Sequence, residues 1–108
     1  MKTLKEIFFE AADLIDERGR AIDIFYDRTK KCYCMVGAIG HAAGIFGPEQ
    51  ALVYPWNFWE DPIIEEACRT IIGLNAPQFS DEITLFQFND NNSAADVADL
   101  LRKTAEAL

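Results

Sequence analysis

Apolar residues keep to helical spacing in three stretches of the chain and crowd together in a fourth. In the first stretch, Leu4, Ile7, Phe8, Ala11, Leu14 and Ile15 share one face, while Glu6, Glu10, Asp13 and Glu17 share the other. Thr3 is placed to cap this helix and Gly19 to end it. The second stretch opens with Asp61 as N-cap and Pro62 in the first turn. It carries the apolar rows Ile63, Ala67, Ile71 and Ile64, Cys68, Ile72, has Glu65 and Glu66 near its positive end, and reaches a stop at Gly73. In the third, Ser93 and Asp96 form a variant capping box ahead of an inner stripe of Val97, Leu100, Leu101, Thr104 and Leu108. The fourth stretch, Cys32 to Ala43, is apolar all round, which predicts a helix buried on most sides. Its small residues Gly37, Ala38, Gly40, Ala42 and Ala43 let neighbouring backbones come close; Gly44 ends it, and Pro48 begins a short helical turn through Ala51.

Two segments are less regular. "RAIDIFYDR", residues 20 to 28, alternates weakly and reads as a short strand or an extended link. In "FSDEITLFQFNDNNS", Ser80 with Asp81 and Glu82 reads as a helix start, Leu85, Phe86 and Phe88 as anchors, and "NDNN" as a polar turn. The expectation is a mainly α protein: one domain over residues 1–108, of four to five helices around the small-residue helix, with a short extended segment near residues 21–27.

A chain of 108 residues with half its positions hydrophobic can bury a core without metal or disulfide staples. Its charge of −8 is uneven, −1 over residues 1–54 and −7 over residues 55–108. No basic stripe exists beyond Arg28, Lys30 and Lys31, so direct nucleic-acid binding is not expected. The longest apolar run, Cys32 to Ile39, falls far short of the ~20 residues that cross a membrane, and no signal peptide is evident. Three cysteines, an odd number, fit a reducing compartment, and a cytoplasmic protein without a membrane partner is the expectation.

The candidate chemistry lies in "KKCYCMVGAIGHAAG", where Cys32 and Cys34 precede the chain's one histidine, His41. On a helix Cys34 and His41 stand about 10 Å apart along the axis, too far to share a metal ion or to act as nucleophile and base. Cys32, beside Lys30 and Lys31 at a helix start, is the position where dipole and cations would favour a thiolate. Structural burial is the leading reading for the cysteines, and a satisfied core or helix-end role for His41. The sequence holds no Gly-rich phosphate loop, Ser-His-Asp order or helical His-Glu metal motif, and no cofactor is expected. A second feature, "YPWNFWEDP", sets Tyr54, Trp56, Phe58 and Trp59 beside Glu60 and Asp61. These aromatics either fold down onto the following helix as a satellite core, the commoner outcome, or form an exposed anchor patch for a partner. Glu65 and Glu66 are adjacent on a helix and diverge, so they make no acid and base pair.

Three stretches together, "LKEIFFEAADLIDERG", "CYCMVGAIGHAAG" and "FNDNNSAADVADLLRKTAEAL", resemble a small uncharacterised family of helical proteins of actinobacteria and their phages. The matching positions are Cys34, Gly37, Ala38 and Ile39, then Asn89, Asp90 and Ser93. The resemblance implies a helical fold and a phage or mobile-element setting, and no activity. It draws attention to Asn89 and Asp90 as polar groups organising the turn before the last helix. With no catalytic constellation in view, the expected function is non-enzymatic: an acidic accessory protein, monomer or homodimer, that binds another protein. The alternative is a cysteine-dependent enzyme or redox protein using Cys32 or Cys34.

Overall fold

Thr3 and Glu6 close a capping box, each side chain meeting the other's backbone N–H at 3.2 Å, and so start helix α1, Leu4–Arg18. Gly19, at φ +82°, ends it by donating to the Ile15 carbonyl at 2.8 Å. The computed structural model describes residues 2–22, 24, 26–45 and 61–108. Beyond Gly19 an extended link pairs Arg20 with Tyr33, and the Ala21 N–H donates to the Tyr33 carbonyl at 3.0 Å. A short antiparallel hairpin follows, β1 (Tyr26–Asp27) against β2 (Cys32–Tyr33), with Tyr26 opposite Tyr33 and Asp27 opposite Cys32. The Asp27 carboxylate holds its turn by accepting from the N–H groups of Thr29 at 2.9 Å and Lys30 at 3.0 Å. Lys31 closes the turn at φ +55°.

Helix α2 runs Met35–Ala42 with Cys34 as its N-cap, so the apolar run that predicts one helix from Cys32 is in fact a strand followed by a shorter helix. The physical reason is the hairpin: pairing with β1 and with Arg20 takes up the backbone of Cys32 and Tyr33. The helix itself is buried on nearly every side, as its small residues predict, with Met35, Val36, Ala38 and Ile39 at most 1% exposed.

Asp61 caps α3, Pro62–Leu74, accepting from the Ile63 N–H at 2.9 Å. Gly73 does not stop this helix; Asn75 does, its backbone N–H and side-chain Nδ2 both donating to the Ile71 carbonyl, at 3.1 and 2.7 Å. Helix α4, Glu82–Asn91, starts at the Asp81 cap and carries "NDN" in its last turn, so Asn89 and Asp90 belong to a helix and not to a polar turn. It is Asn92 that ends α4, its Nδ2 donating to the Phe88 carbonyl at 2.9 Å. Ser93 and Asp96 then form the expected capping box of α5, Ala94–Glu106.

The first and last helices pack together, α2 also packs on α1, α3 packs on α2 and α5, and α4 packs on α3 and α5. The core between them centres on Phe8, Ile15, Ile39, Ile71, Leu85 and Leu101. Leu4 and Leu14 are only half-buried, and Leu108, expected on the inner stripe, is 50% exposed because α5 ends before it. Thr104 joins α5 to α3: its hydroxyl accepts from Asn75 Nδ2 at 3.0 Å and donates to the Leu100 carbonyl at 2.8 Å. On the surface Arg102 of α5 reaches both Asp13, at 3.0 Å, and Asp16 of α1. The protein is thus mainly α, with five helices and one two-stranded sheet among the described residues, none of those helices long and apolar enough to cross a membrane.

Candidate functional site

The start of α2 is buried, so its first N–H groups need partners from the protein. Cys34 supplies one, its Sγ accepting from the Gly37 N–H at 3.3 Å. Asn89, 1% exposed and in the last turn of α4, supplies another: its Oδ1 accepts from the Met35 N–H at 3.0 Å. The other end of the same carboxamide, Nδ2, donates to the Ala21 carbonyl at 2.8 Å and to the Asp90 carboxylate at 3.0 Å. One side chain thereby ties three segments together.

All three cysteines are free and buried. Burial pushes the Cys34 thiol up to about 12, outweighing the backbone donors at the helix start that would favour a thiolate. Cys68 is likewise pushed up to about 12 by burial, with Glu82 adding to the effect. Burial also raises Cys32, Asp27 assists, and Lys30 and Arg20 oppose. The two features expected to activate one thiol are divided between two: the helix start belongs to Cys34, and the cations to Cys32. At neutral pH Cys34 is therefore a protonated sulfur cap.

At the opposite end of α2 the Tyr33 hydroxyl meets His41 Nδ1 at 2.9 Å, and the Tyr33 ring lies 4.8 Å from that of Tyr26 and 5.0 Å from that of His41, centroid to centroid. Burial lowers the pKa of His41; Arg18 and Lys2 lower it further and Glu10 opposes them. Lys2 sits across this helix end, donating to the Ala42 carbonyl and to Glu10, each at 2.6 Å. His41 is thus a neutral, bonded, helix-end histidine. Nearby, Arg20 is half-buried, and its Nε is fully buried with no hydrogen-bond partner.

Cys34 and His41 occupy opposite ends of α2 and do not meet, as their spacing implies; Cys32 lies in β2. Ser93 caps α5, accepting from the Asp96 N–H at 3.1 Å. Tyr54, Trp56, Phe58, Trp59 and Glu60 lie outside the described residues, as does the turn expected at Pro48 to Ala51. Among the described residues no three His, Cys, Asp or Glu side chains come together as a metal ion would require. Sequence reasoning misses the bridging role of Asn89, although Leu85 and Asn89 stand four apart on one helical row, and that spacing carries the signal. The Tyr33 partner of His41 is hidden once both are placed on a single helix, where eight residues separate them.

Comparison with known proteins gives one kind of finding. The model of a family described as of unknown function (DUF6197) matches residues 1–107. Neither curated proteins nor solved structures yield a match.

Proposed function

Because the chain belongs to DUF6197, a family of unknown function, its role has to be read from its own surface, and we propose that it is a non-enzymatic protein-binding domain. The observation that carries this reading is a pair of exposed isoleucines in a cation-rich stretch of the chain leading into the hairpin. Ile22 and Ile24, between α1 and β1, are each 46% exposed, while Ala21 beside them is buried. Residues 18–31 around them hold Arg18, Arg20, Arg28, Lys30 and Lys31 and carry +3 in a chain of −8. Exposed isoleucines in a stretch rich in cations suit a partner segment that is itself apolar and acidic. The aromatic group Tyr54, Trp56, Phe58 and Trp59, with Glu60, belongs to the proposal as a second contact. Burial of all three thiols favours binding over the cysteine-dependent alternative. A phage or mobile-element accessory protein, working in the cytoplasm of its host, is the setting proposed for it.

The test compares the proteins retained by immobilised wild type, by Ile22→Ser/Ile24→Ser and by Trp56→Ala/Trp59→Ala, each verified as folded by circular dichroism. A partner held by the wild type and released by the isoleucine pair supports the isoleucine contact. Retention unchanged in both double variants removes the reading.

A further inference from the structure

Tyr33 spans α2 from end to end: its backbone lies just ahead of the Cys34 cap, and its hydroxyl meets His41 Nδ1 in the last turn at 2.9 Å. The residue is 1% exposed, and among the described residues its hydroxyl has no other hydrogen-bond partner. A buried hydroxyl hydrogen needs an acceptor, so Nδ1 is the accepting nitrogen and the neutral ring carries its own hydrogen on Nε2. His41 is only half-buried and so within reach of protons from water.

Protonation reverses this bond. An imidazolium carries a hydrogen on both nitrogens and accepts from neither, so a proton taken up from water at Nδ1 displaces the hydroxyl hydrogen, which then has no acceptor in the core. The new charge also arises among like charges. Beside the Tyr33 ring of β2, which packs on Tyr26 of β1, the groups whose charge bears on His41 are Arg18 and Glu10 of α1 and Lys2 of the N-terminal segment, and of these Glu10 alone favours the cation. Lys2 already occupies the helix end through its bonds to the Ala42 carbonyl and Glu10. The charged ring therefore gains by leaving Tyr33 and turning to water.

We propose that the Tyr33 and His41 pair is an acid-released latch, which ties the hairpin to the far end of α2 while His41 is neutral and frees it when His41 is protonated. The latch stands whether or not the stretch around Ile22 and Ile24 binds a partner. Its reporter is the Ala21 amide, which donates to the Tyr33 carbonyl at 3.0 Å.

The experiment records the His41 ring-nitrogen shifts and the amide-exchange protection factors of the whole chain by NMR between pH 8 and pH 4.5. The expected result is an Nε2–H ring at pH 8 and a roughly tenfold fall in Ala21 protection that follows the His41 titration, while Val97 and Leu101 in α5 keep theirs. Tyr33→Phe removes the hydroxyl and should show the lowered Ala21 protection already at pH 8, with no further loss on acidification. His41→Asn sets a non-titrating acceptor near the place of Nδ1 and should keep Ala21 protected throughout, which separates His41 from the carboxylates of Glu10 and Asp27. Should Tyr33→Phe fail to fold, wild type and His41→Asn decide between them. An Nδ1–H ring at pH 8, Ala21 protection that ignores the His41 titration, an acid loss that persists in His41→Asn, or a loss shared equally by α5 overturns the proposal.

Discussion

Replacing Asn89 by leucine leaves the Met35 N–H and the Ala21 carbonyl buried without partners. Each such group costs about 1–3 kcal/mol, so the variant should lose roughly 2–6 kcal/mol of stability, read as a lower urea midpoint at unchanged slope. Asn89→Asp separates the two ends of the carboxamide: it keeps an acceptor for Met35, removes the donor to Ala21 and sets a second carboxylate beside Asp90. It should cost nearly as much. A loss below about 1 kcal/mol in both variants would show that the bridge contributes little. Cys34 is the complementary case, since its sulfur does the work usually given to a serine or aspartate cap.

The hairpin holds a local conflict of its own. Lys31 sits at φ +55°, where a side chain costs roughly 1–2 kcal/mol that glycine avoids. Glycine also loosens the unfolded chain, so Lys31→Gly should gain only about 0.5–1 kcal/mol and raise the melting temperature by a few degrees. A lower melting temperature would mean that the Lys31 side chain itself supports the hairpin. Element by element, the sequence is most readable where a helix starts with a conventional cap: Thr3, Asp61 and Ser93 announce α1, α3 and α5 at the right residue. It is least readable at ends made by side-chain amides. Asn75 and Asn92 each bond a carbonyl four residues back, a choice composed of tertiary fit rather than of any left-handed glycine. The start of α2 is obscured because Cys32 and Tyr33 are equally apolar in strand or helix, and only the partner strand decides. Of the candidate site, the separation of Cys34 from His41 follows from spacing alone, whereas the links of Asn89 to Met35 and Ala21 depend on residues 54 and 68 positions away.

For the whole molecule, the titratable groups bound a pH range of stability. Cys34 and Cys68 are held near 12 when folded, against 9.0 for an ordinary thiol, so above pH 9 the unfolded chain releases protons that the folded chain keeps. Their stabilisation is complete below that pH and is lost as the pH climbs, at up to about 1.4 kcal/mol per pH unit for each thiol. His41 acts in the opposite sense: with its folded pKa below 6.5, the unfolded chain takes up the proton first and stability falls as the solution is acidified past that point. Denaturant unfolding at pH 8, 9 and 10 should therefore show a steep alkaline decline, which Cys68→Ala makes shallower. Equal stability at all three values would contradict the burial of these thiols.

The packing of α1 against α5, together with the reach of Asn89 to Ala21 and Met35, bears on how the protein emerges during translation. A nascent chain that has delivered α1 and the hairpin still lacks both the surface that covers the first helix and the cap that completes the start of α2. Contacts of such long sequence separation form late and slowly. The N-terminal half should stay open on the ribosome until α5 clears the exit tunnel, leaving its apolar face to chaperones until then.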